Sequence, residues 1–351
     1  MNFDIPKDYF LDEVRDGFLV PSMIKKSWAV SIIDYKILEE ICEKLGLNIF
    51  FMYGSLIAVV RRAGSIPWDD DIDSMIFHDE YQRLKVYLDN GGMPEHFRMN
   101  DYSQMGTGNL VRKWLDNYDA VKSKDRWEES FGFPFVNNID VMLVDYLPDG
   151  EEKMQYYRDV VELLQYVKDF ADAIEAGMKD YDREEFEYSL DLLERVLKVK
   201  YDEKNDGKLS IWVWRMLDEF TARYTGRDGN EVASVAHYMT HGNGKFDKKL
   251  FAGYIDMPYE FTTVKVPVGY ESILRNFFGD YMTPILEWDG HVYPFYRNLE
   301  KALQEKYDVE LLRYHFRESE VSAVLSDREK KIAIDEAIAS SIELFKEAHG
   351  Y

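Results

Sequence analysis

Hydrophobic positions in the first third of the chain change period along its length. Residues 27–46, SWAVSIIDYKILEEICEKLG, put Trp28, Ile32, Tyr35, Leu38, Cys42 and Leu45 on one stripe. That three-to-four spacing predicts a helix with one buried face. Gly46 is placed to end it. NIFFMY (48–53) is a short apolar run, as in a buried strand. Gly54-Ser55 follows, and SLIAVVRRAG predicts a short helix stopped by Gly64, with Ser55 as its N-cap. SIPWDDDIDSMIF (65–77) predicts a loop that enters a strand. Asp79 is placed to cap a helix over 80–90, with Tyr81, Leu84 and Leu88 facing inward. Residues 91–110, rich in Gly, Asn, Met and Ser, predict a loop. VNNIDVMLVDYLPDG (136–150) predicts a strand closed by a Pro-Asp-Gly turn.

The pattern changes after Gly150. From 151 to about 225 it is helical, acidic and aromatic, and predicts two or three helices packed on the earlier part. GNGKF (242–246) marks a turn, with short strands at 233–239 and 259–266. Helices are predicted over 268–282, 297–306 and 328–348. There is no internal repeat and no low-complexity linker. The expected organisation is an extension (1–26), a catalytic core (27–150), a helical acidic subdomain (151–230), the remainder of the core domain (231–310) and a helical C-terminal extension (311–351).

Composition narrows the function classes. With 46% hydrophobic residues in 351, a sizeable core is expected. No apolar run approaches the roughly 20 residues of a membrane span, so no integral membrane segment is expected. MNFDIPKDYF lacks the basic start and apolar core of a signal peptide, which makes the cytoplasm the expected location. The single cysteine, Cys42, leaves no internal disulfide and no cysteine-based zinc site; its place on the apolar stripe reads as core. A net charge of −23 argues against nucleic acid as a partner. An acidic protein that handles phosphates needs local positive charge, most simply Mg²⁺ or Mn²⁺.

Asp71-Ile72-Asp73 is the sharpest local feature. Read as strand, it projects both carboxylates from one face, where they repel unless a cation intervenes. Oxygen-only ligation suits Mg²⁺ or Mn²⁺. Asp69 joins that face if the strand begins early, with Asp70 opposite. Asp140, at the start of the 139–144 strand, is the candidate third ligand. The Gly54-Ser55 turn offers backbone N–H groups, a helix N-terminus and a hydroxyl to a phosphate. Glycine there permits close approach. Arg61 or Arg62 is expected to meet an anionic group or the acidic run, and Arg112 with Lys113 to meet a phosphate or to stand as a solvated pair. Strand, Gly-Ser, helix, Asp-x-Asp strand and a distant strand opening on Asp is the nucleotidyltransferase-fold order. The expected fold is therefore α/β (α+β), a nucleotidyltransferase-like mixed sheet core with packed helices and a helical acidic insertion.

YGSLIAVVRRAGSIPWDDDID resembles the signature of the LicD family of phosphotransferases. The resemblance extends through HDEYQRL (78–84), NNIDVMLVDYLPDG and VPVGYESILRNFFGDYM (266–282). It covers residues 26 to about 300, weakly across 150–230. Ala58 stands where glycine is usual, Arg62 for histidine, Ser65 for phenylalanine and Phe278 for tyrosine. The resemblance implies an enzyme that transfers phosphocholine or a related polyol phosphate from a CDP-activated alcohol to a glycan hydroxyl. The implied acceptor is teichoic acid, lipopolysaccharide or another surface polysaccharide. Asp71 and Asp73 would then hold the metal, Gly54 and Ser55 the donor phosphates, and Asp140 the metal or the acceptor's proton.

Other features have ordinary readings. Trp114, Tyr118 and Trp127 suggest an aromatic cage for a quaternary ammonium, but packing is the commoner use of such residues. His237 and His241 in HYMTH lie one helical turn apart without the glutamate of a zinc protease, and are read as structural. Asp280 is assigned to local hydrogen bonding. Two alternative functions are a nucleotidyltransferase acting on a small molecule or protein, and a non-catalytic nucleotide- or sugar-binding module.

Overall fold

The computed structural model describes residues 3–16, 18–100, 111–116, 121–284 and 293–307, the stretch 111–116 by its backbone only. The helix expected over 328–348 and Tyr118 lie outside these residues.

After a short hairpin, β1 (Glu13–Arg15) and β2 (Phe18–Val20), helix α1 runs over Ser22–Lys44. It starts five residues earlier than the stripe alone indicates, because Pro21 fits an extended N-cap position. Trp28, Ile32, Tyr35, Leu38 and Cys42 are buried on it. Gly46, at φ +64°, ends it. Gly46 N–H donates to Glu43 O at 3.0 Å and Leu47 N–H to Cys42 O at 2.8 Å, so the last carbonyls are satisfied. Burial, with Glu80 and Glu39 nearby, pushes the Cys42 thiol up to about 12, the signature of a core thiol rather than a nucleophile.

Strand β3 (Ile49–Phe51), helix α2 (Tyr53–Arg62), β4 (Asp73–Phe77) and helix α3 (His78–Tyr87) follow. Two expectations are corrected here. Helix α2 begins at Tyr53 with Met52 as its N-cap, so Ser55 lies inside the first turn and does not cap it. Helix α3 begins at His78, capped by Phe77, with Asp79 already in its first turn. The segment expected to be all loop contains β5 (Phe97–Asn100) and is followed by β6 (Val111–Asp116). Its small polar composition concealed the strand.

The sheet order is β3-β4-β7-β6-β5, where β7 is Asn138–Leu147. Only β4 and β7 are parallel; β3, β6 and β5 pair antiparallel. The end of β7 pairs antiparallel with β8 (Glu231–Ala233), which pairs antiparallel in turn with β9 (Lys245–Asp247). Helices α4 (Glu151–Glu175), α5 (Arg183–Leu197), α6 (Glu203–Asp206) and α7 (Leu209–Thr221) lie between β7 and β8 in sequence. They are four, one of them a single turn, against the two or three expected. They build a second apolar core around Leu164, Leu193, Trp212 and Phe220. The strand expected over 233–239 is mostly helix α8 (Val235–His241), ended by Gly242 at φ +74°. The hairpin β10 (Tyr254–Tyr259) and β11 (Thr262–Pro267) packs beside β3, and α9 (Tyr270–Phe278) beside α2. Helix α10 (Glu300–Tyr307) is the last element described.

His78, at the start of α3, joins the two cores. Its Nδ1 lies 2.6 Å from Asp145 on β7 and its Nε2 3.4 Å from Asp218 on α7, all three side chains deeply buried. Among the described residues no helix is long and apolar enough to cross a membrane.

Candidate active site

Parallel pairing of β4 with β7 makes Asp73 and Asp140 register partners at the N-terminal ends of both strands. Residues that face each other across a ladder share a side of the sheet, which brings the two carboxylates together. The strands are tied at this point. Asp140 N–H donates to Ile72 O at 3.0 Å, Ser74 Oγ donates to Asp140 O at 2.9 Å, and Asn138 Nδ2 donates to Asp140 Oδ1 at 3.2 Å. Just before β7, buried Asn137 donates from Nδ2 to Ser31 Oγ at 2.8 Å and Ser27 Oγ at 3.0 Å. That clamp fixes the start of β7 to α1.

Antiparallel pairing brings the C-terminal end of β3 to the same edge. Met52 N–H donates to Asp73 O at 3.1 Å, and Ser55 Oγ accepts from Asp73 N–H at 2.9 Å. The Ser55 hydroxyl therefore locks the metal-strand candidate to the first turn of α2 and keeps its own hydrogen available to donate.

The strand begins only at Asp73, so alternation is not what gathers Asp69 and Asp71. The loop does it. Asp69 N–H donates to Ile66 O at 3.0 Å, and Trp28 Nε1 on α1 donates to Asp69 O at 2.9 Å. This folds the acidic loop back over α2. A Cβ on Gly54 would lie 2.8 Å from Asp69 Oδ2. The missing side chain of Gly54 thus admits a carboxylate as well as leaving the backbone open. Burial, then Asp71, Asp73 and Asp70, hold the Asp69 carboxyl well above the usual carboxylate range. Asp70 turns the other way, as expected: it is 2% exposed, and its Oδ2 accepts from Phe295 N–H at 2.6 Å.

Gly54, Ser55, Asp69, Asp71, Asp73 and Asp140 are therefore gathered at one edge of the sheet. Arg61 is not among them. It lies two turns along α2, where its guanidinium donates to the carbonyls of Tyr281 and, at 3.4 Å, Thr283. Arg62 pairs with Asp16. Arg112 is the register partner of Val141, whereas Lys113 stands opposite Asp140; neither side chain is among those described. Trp127 packs edge-on to Tyr307 and donates to Lys122 O at 3.2 Å, an ordinary structural use. Trp114 likewise has no described side chain. Asp280 accepts from Thr283 Oγ1 at 2.7 Å, a local bond.

Ser65, which departs from the resembled signature, has partners of its own. Ser65 Oγ is 2.9 Å from Tyr259 Oη, and its N–H donates to Glu260 Oε1 at 2.7 Å. Arg15 closes this knot, donating to Ser65 O and, at 2.6 Å, to Glu260.

The donor set is all oxygen and short of positive charge, which suits a hard divalent cation. Among the described residues no three such groups already surround a single point as a cage. Mg²⁺ is commonly bound by one or two carboxylates with substrate phosphates completing the shell. The crowding of Asp69 against Asp71 and Asp73 fits an open site of that kind.

Residues 46–173, which span β3 to α4, match the model of the LicD/FKTN/FKRP nucleotidyltransferase domain. The chain carries a LicD-type nucleotidyltransferase domain. It is also 25% identical over 265 residues to the lipopolysaccharide cholinephosphotransferase LicD of Haemophilus influenzae, covering 72% of this chain and 88% of that one. The mixed sheet and the Asp73–Asp140 edge lie inside the LicD match, and at family level the domain is that of a transferase. The matched stretch also takes in most of α4.

The sequence reading missed Tyr53, at the very start of α2. Its backbone is left-handed, at φ +46°. Burial pushes its hydroxyl up to about 12, with a hydrogen bond to Ser234 opposing and Asp73 adding to the shift. The aromatic residue before Gly54-Ser55 was the available signal, but it read as the end of a strand.

Proposed function

We propose that this LicD-type protein transfers phosphocholine, or a related polyol phosphate, from a CDP-activated alcohol to a glycan hydroxyl. The observation that carries the reading is the pairing of Asp73 with Asp140 beside the first turn of α2. The name of the Haemophilus influenzae relative, a lipopolysaccharide cholinephosphotransferase, supports the transferred group and a glycan acceptor.

Asp71, Asp73 and Asp140 are the residues that would hold Mg²⁺ or Mn²⁺, with Asp69 behind them. When bound, the ion would offset the charge of the donor pyrophosphate. The chain's own part is to bind and orient. The N–H groups of Gly54 and Ser55 and the Ser55 hydroxyl receive donor phosphate oxygens at the positive end of α2. Asp140 completes the metal site or takes the proton of the attacking hydroxyl. The acceptor oxygen forms a bond to the phosphorus that bears the alcohol, the bridging P–O bond breaks, and CMP leaves with the electron pair. Positioning and electrostatics supply most of the acceleration in such transfers.

The family description names nucleotidyl transfer, which favours one rival, attachment of the nucleotide itself. Incubation with CDP-choline, CDP-ribitol and CDP-glycerol in Mg²⁺, alongside ATP, UTP and CTP, separates the two. Release of CMP from one CDP-alcohol supports the proposal. Release of pyrophosphate from a nucleoside triphosphate, with no CMP from any CDP-alcohol, overturns it.

A further inference from the structure

The geometry points to Tyr53 as a positioning residue of this site, one that holds the Gly54-Ser55 turn against Asp69 and Asp73 through a left-handed backbone clamped by the rings of His237 and Phe277. The inference rests on the phosphotransfer reading for its kinetic consequence, though not for its structural one.

A bulky residue at positive φ is a genuine outlier. Such a conformation persists only where its surroundings over-determine it, and it gathers at functional sites. Here it falls between Met52, whose N–H meets Asp73 O, and Gly54, which Asp69 abuts. A shift of the Tyr53 backbone out of this conformation would rotate the following N–H groups relative to the carboxylates.

The surroundings do over-determine it. The Tyr53 ring centroid is 4.8 Å from Phe277 and 5.6 Å from His237. His237 stands edge-on to Phe277 at 4.8 Å and stacks on His241 at 4.4 Å. The clamp is itself braced. His237 Nε2 lies 2.8 Å from Asn243 Oδ1, and Asn243 Nδ2 donates to Asn276 O at 3.2 Å and Phe277 O at 3.3 Å. Gly244 N–H donates to Asn276 Oδ1 at 2.7 Å. A Cβ on Gly244 would come within 2.8 Å of Phe277 and 2.9 Å of His237, so only glycine lets the rings close. The Tyr53 hydroxyl lies beside Ser234, the residue that opens α8. Segments far apart in sequence thus converge on one side chain next to the turn. His237, read from sequence as structural, is structural in a specific way: it supports the turn through Tyr53.

The test compares wild type with Tyr53→Gly, Tyr53→Phe and His237→Ala. Glycine accepts φ +46° freely but removes the clamped ring; phenylalanine keeps the ring. Amide hydrogen exchange over residues 53–56 should quicken at least tenfold in Tyr53→Gly and His237→Ala, and stay within threefold in Tyr53→Phe. With CDP-choline and Mg²⁺, kcat should fall at least tenfold in Tyr53→Gly while KM stays within threefold, and Tyr53→Phe should recover most of it. Unchanged exchange in Tyr53→Gly overturns the inference, as does a rise in KM at constant kcat. If wild type turns over no CDP-alcohol, the phosphotransfer reading has failed, and the exchange comparison alone still decides for or against the clamp.

Discussion

Replacing Gly54 by alanine adds one methyl group at the point where the acidic loop crosses α2. The new Cβ would sit 2.8 Å from Asp69 Oδ2, whereas ordinary contact begins at 3.4 Å. Asp69 must therefore retreat by about 0.6 Å, the difference between those two distances. Alanine also favours a helix over glycine by up to about 1 kcal/mol. A carboxylate on a loop yields at similar cost, so stability should change by no more than about 1 kcal/mol. That is a few degrees in melting temperature. Function should respond far more, because a displacement approaching 1 Å at a reacting centre costs up to about 10²-fold. The expected outcome is a melting temperature within a few degrees of wild type and a 10- to 100-fold loss of transfer. Mn²⁺ affinity, read by the paramagnetic signal of the free ion, should weaken in parallel. Wild-type turnover and Mn²⁺ affinity in Gly54→Ala would refute the argument that Gly54 exists to admit Asp69.

The buried His78 gives a pH prediction. Burial alone would lower its pKa, but Asp145 and Asp218 together raise it from 6.5 to about 10. The stabilisation is fully present below pH 6.5 and lost as pH rises toward 10, by an amount on the order of 3–5 kcal/mol. Urea unfolding at pH 6.5 and 9.5 should show that loss in wild type and little of it in His78→Gln; equal slopes in the two proteins would refute it. Asp71→Asn and Asp73→Asn should each reduce transfer by more than about 10²-fold, as loss of a metal ligand would. Each removes like-charge repulsion, so the metal-free protein should melt no lower than wild type, and a drop of several degrees would contradict the crowding at Asp69. Glu260→Ala removes the 2.6 Å partner of half-buried Arg15, which keeps Glu13 at 3.0 Å, and should cost about 1–3 kcal/mol in denaturant titration; no measurable change would mean that water and Glu13 replace the carboxylate.

Much of the site was legible before the structure because it rests on local spacing. The 27–46 stripe, the apolar 48–53 run and the 139–144 strand all carry strong periodic signals, and their order already placed Asp140 as a partner for Asp73. Where the reading failed, the cause was tertiary. Alternation put Asp71 on a strand with Asp73, and Asp69 too if that strand begins early. A loop gathers them instead, held by Trp28 from α1, and no local pattern encodes that contact. Ser55 looked like a cap because it precedes an apolar run, yet the chain turns two residues earlier, at Tyr53. Arg61 followed from proximity in sequence, and the helix carries it two turns away. Strand β5 was hidden because Phe97–Asn100 has too few apolar residues to announce itself. The braces from α8 and α9 on Tyr53 come from residues 234–244 and 276–277, beyond the reach of any window on the chain.

The central claim is that Asp73 and Asp140 serve transfer of an alcohol phosphate. The most direct measurement is the intact mass of an acceptor glycan after incubation with Mg²⁺ and each CDP-alcohol, for wild type and Asp73→Asn. The account predicts a gain equal to one phosphoalcohol, matched by CMP, in wild type and none in the variant. A gain equal to a nucleotide, or an equal gain in both proteins, would contradict it.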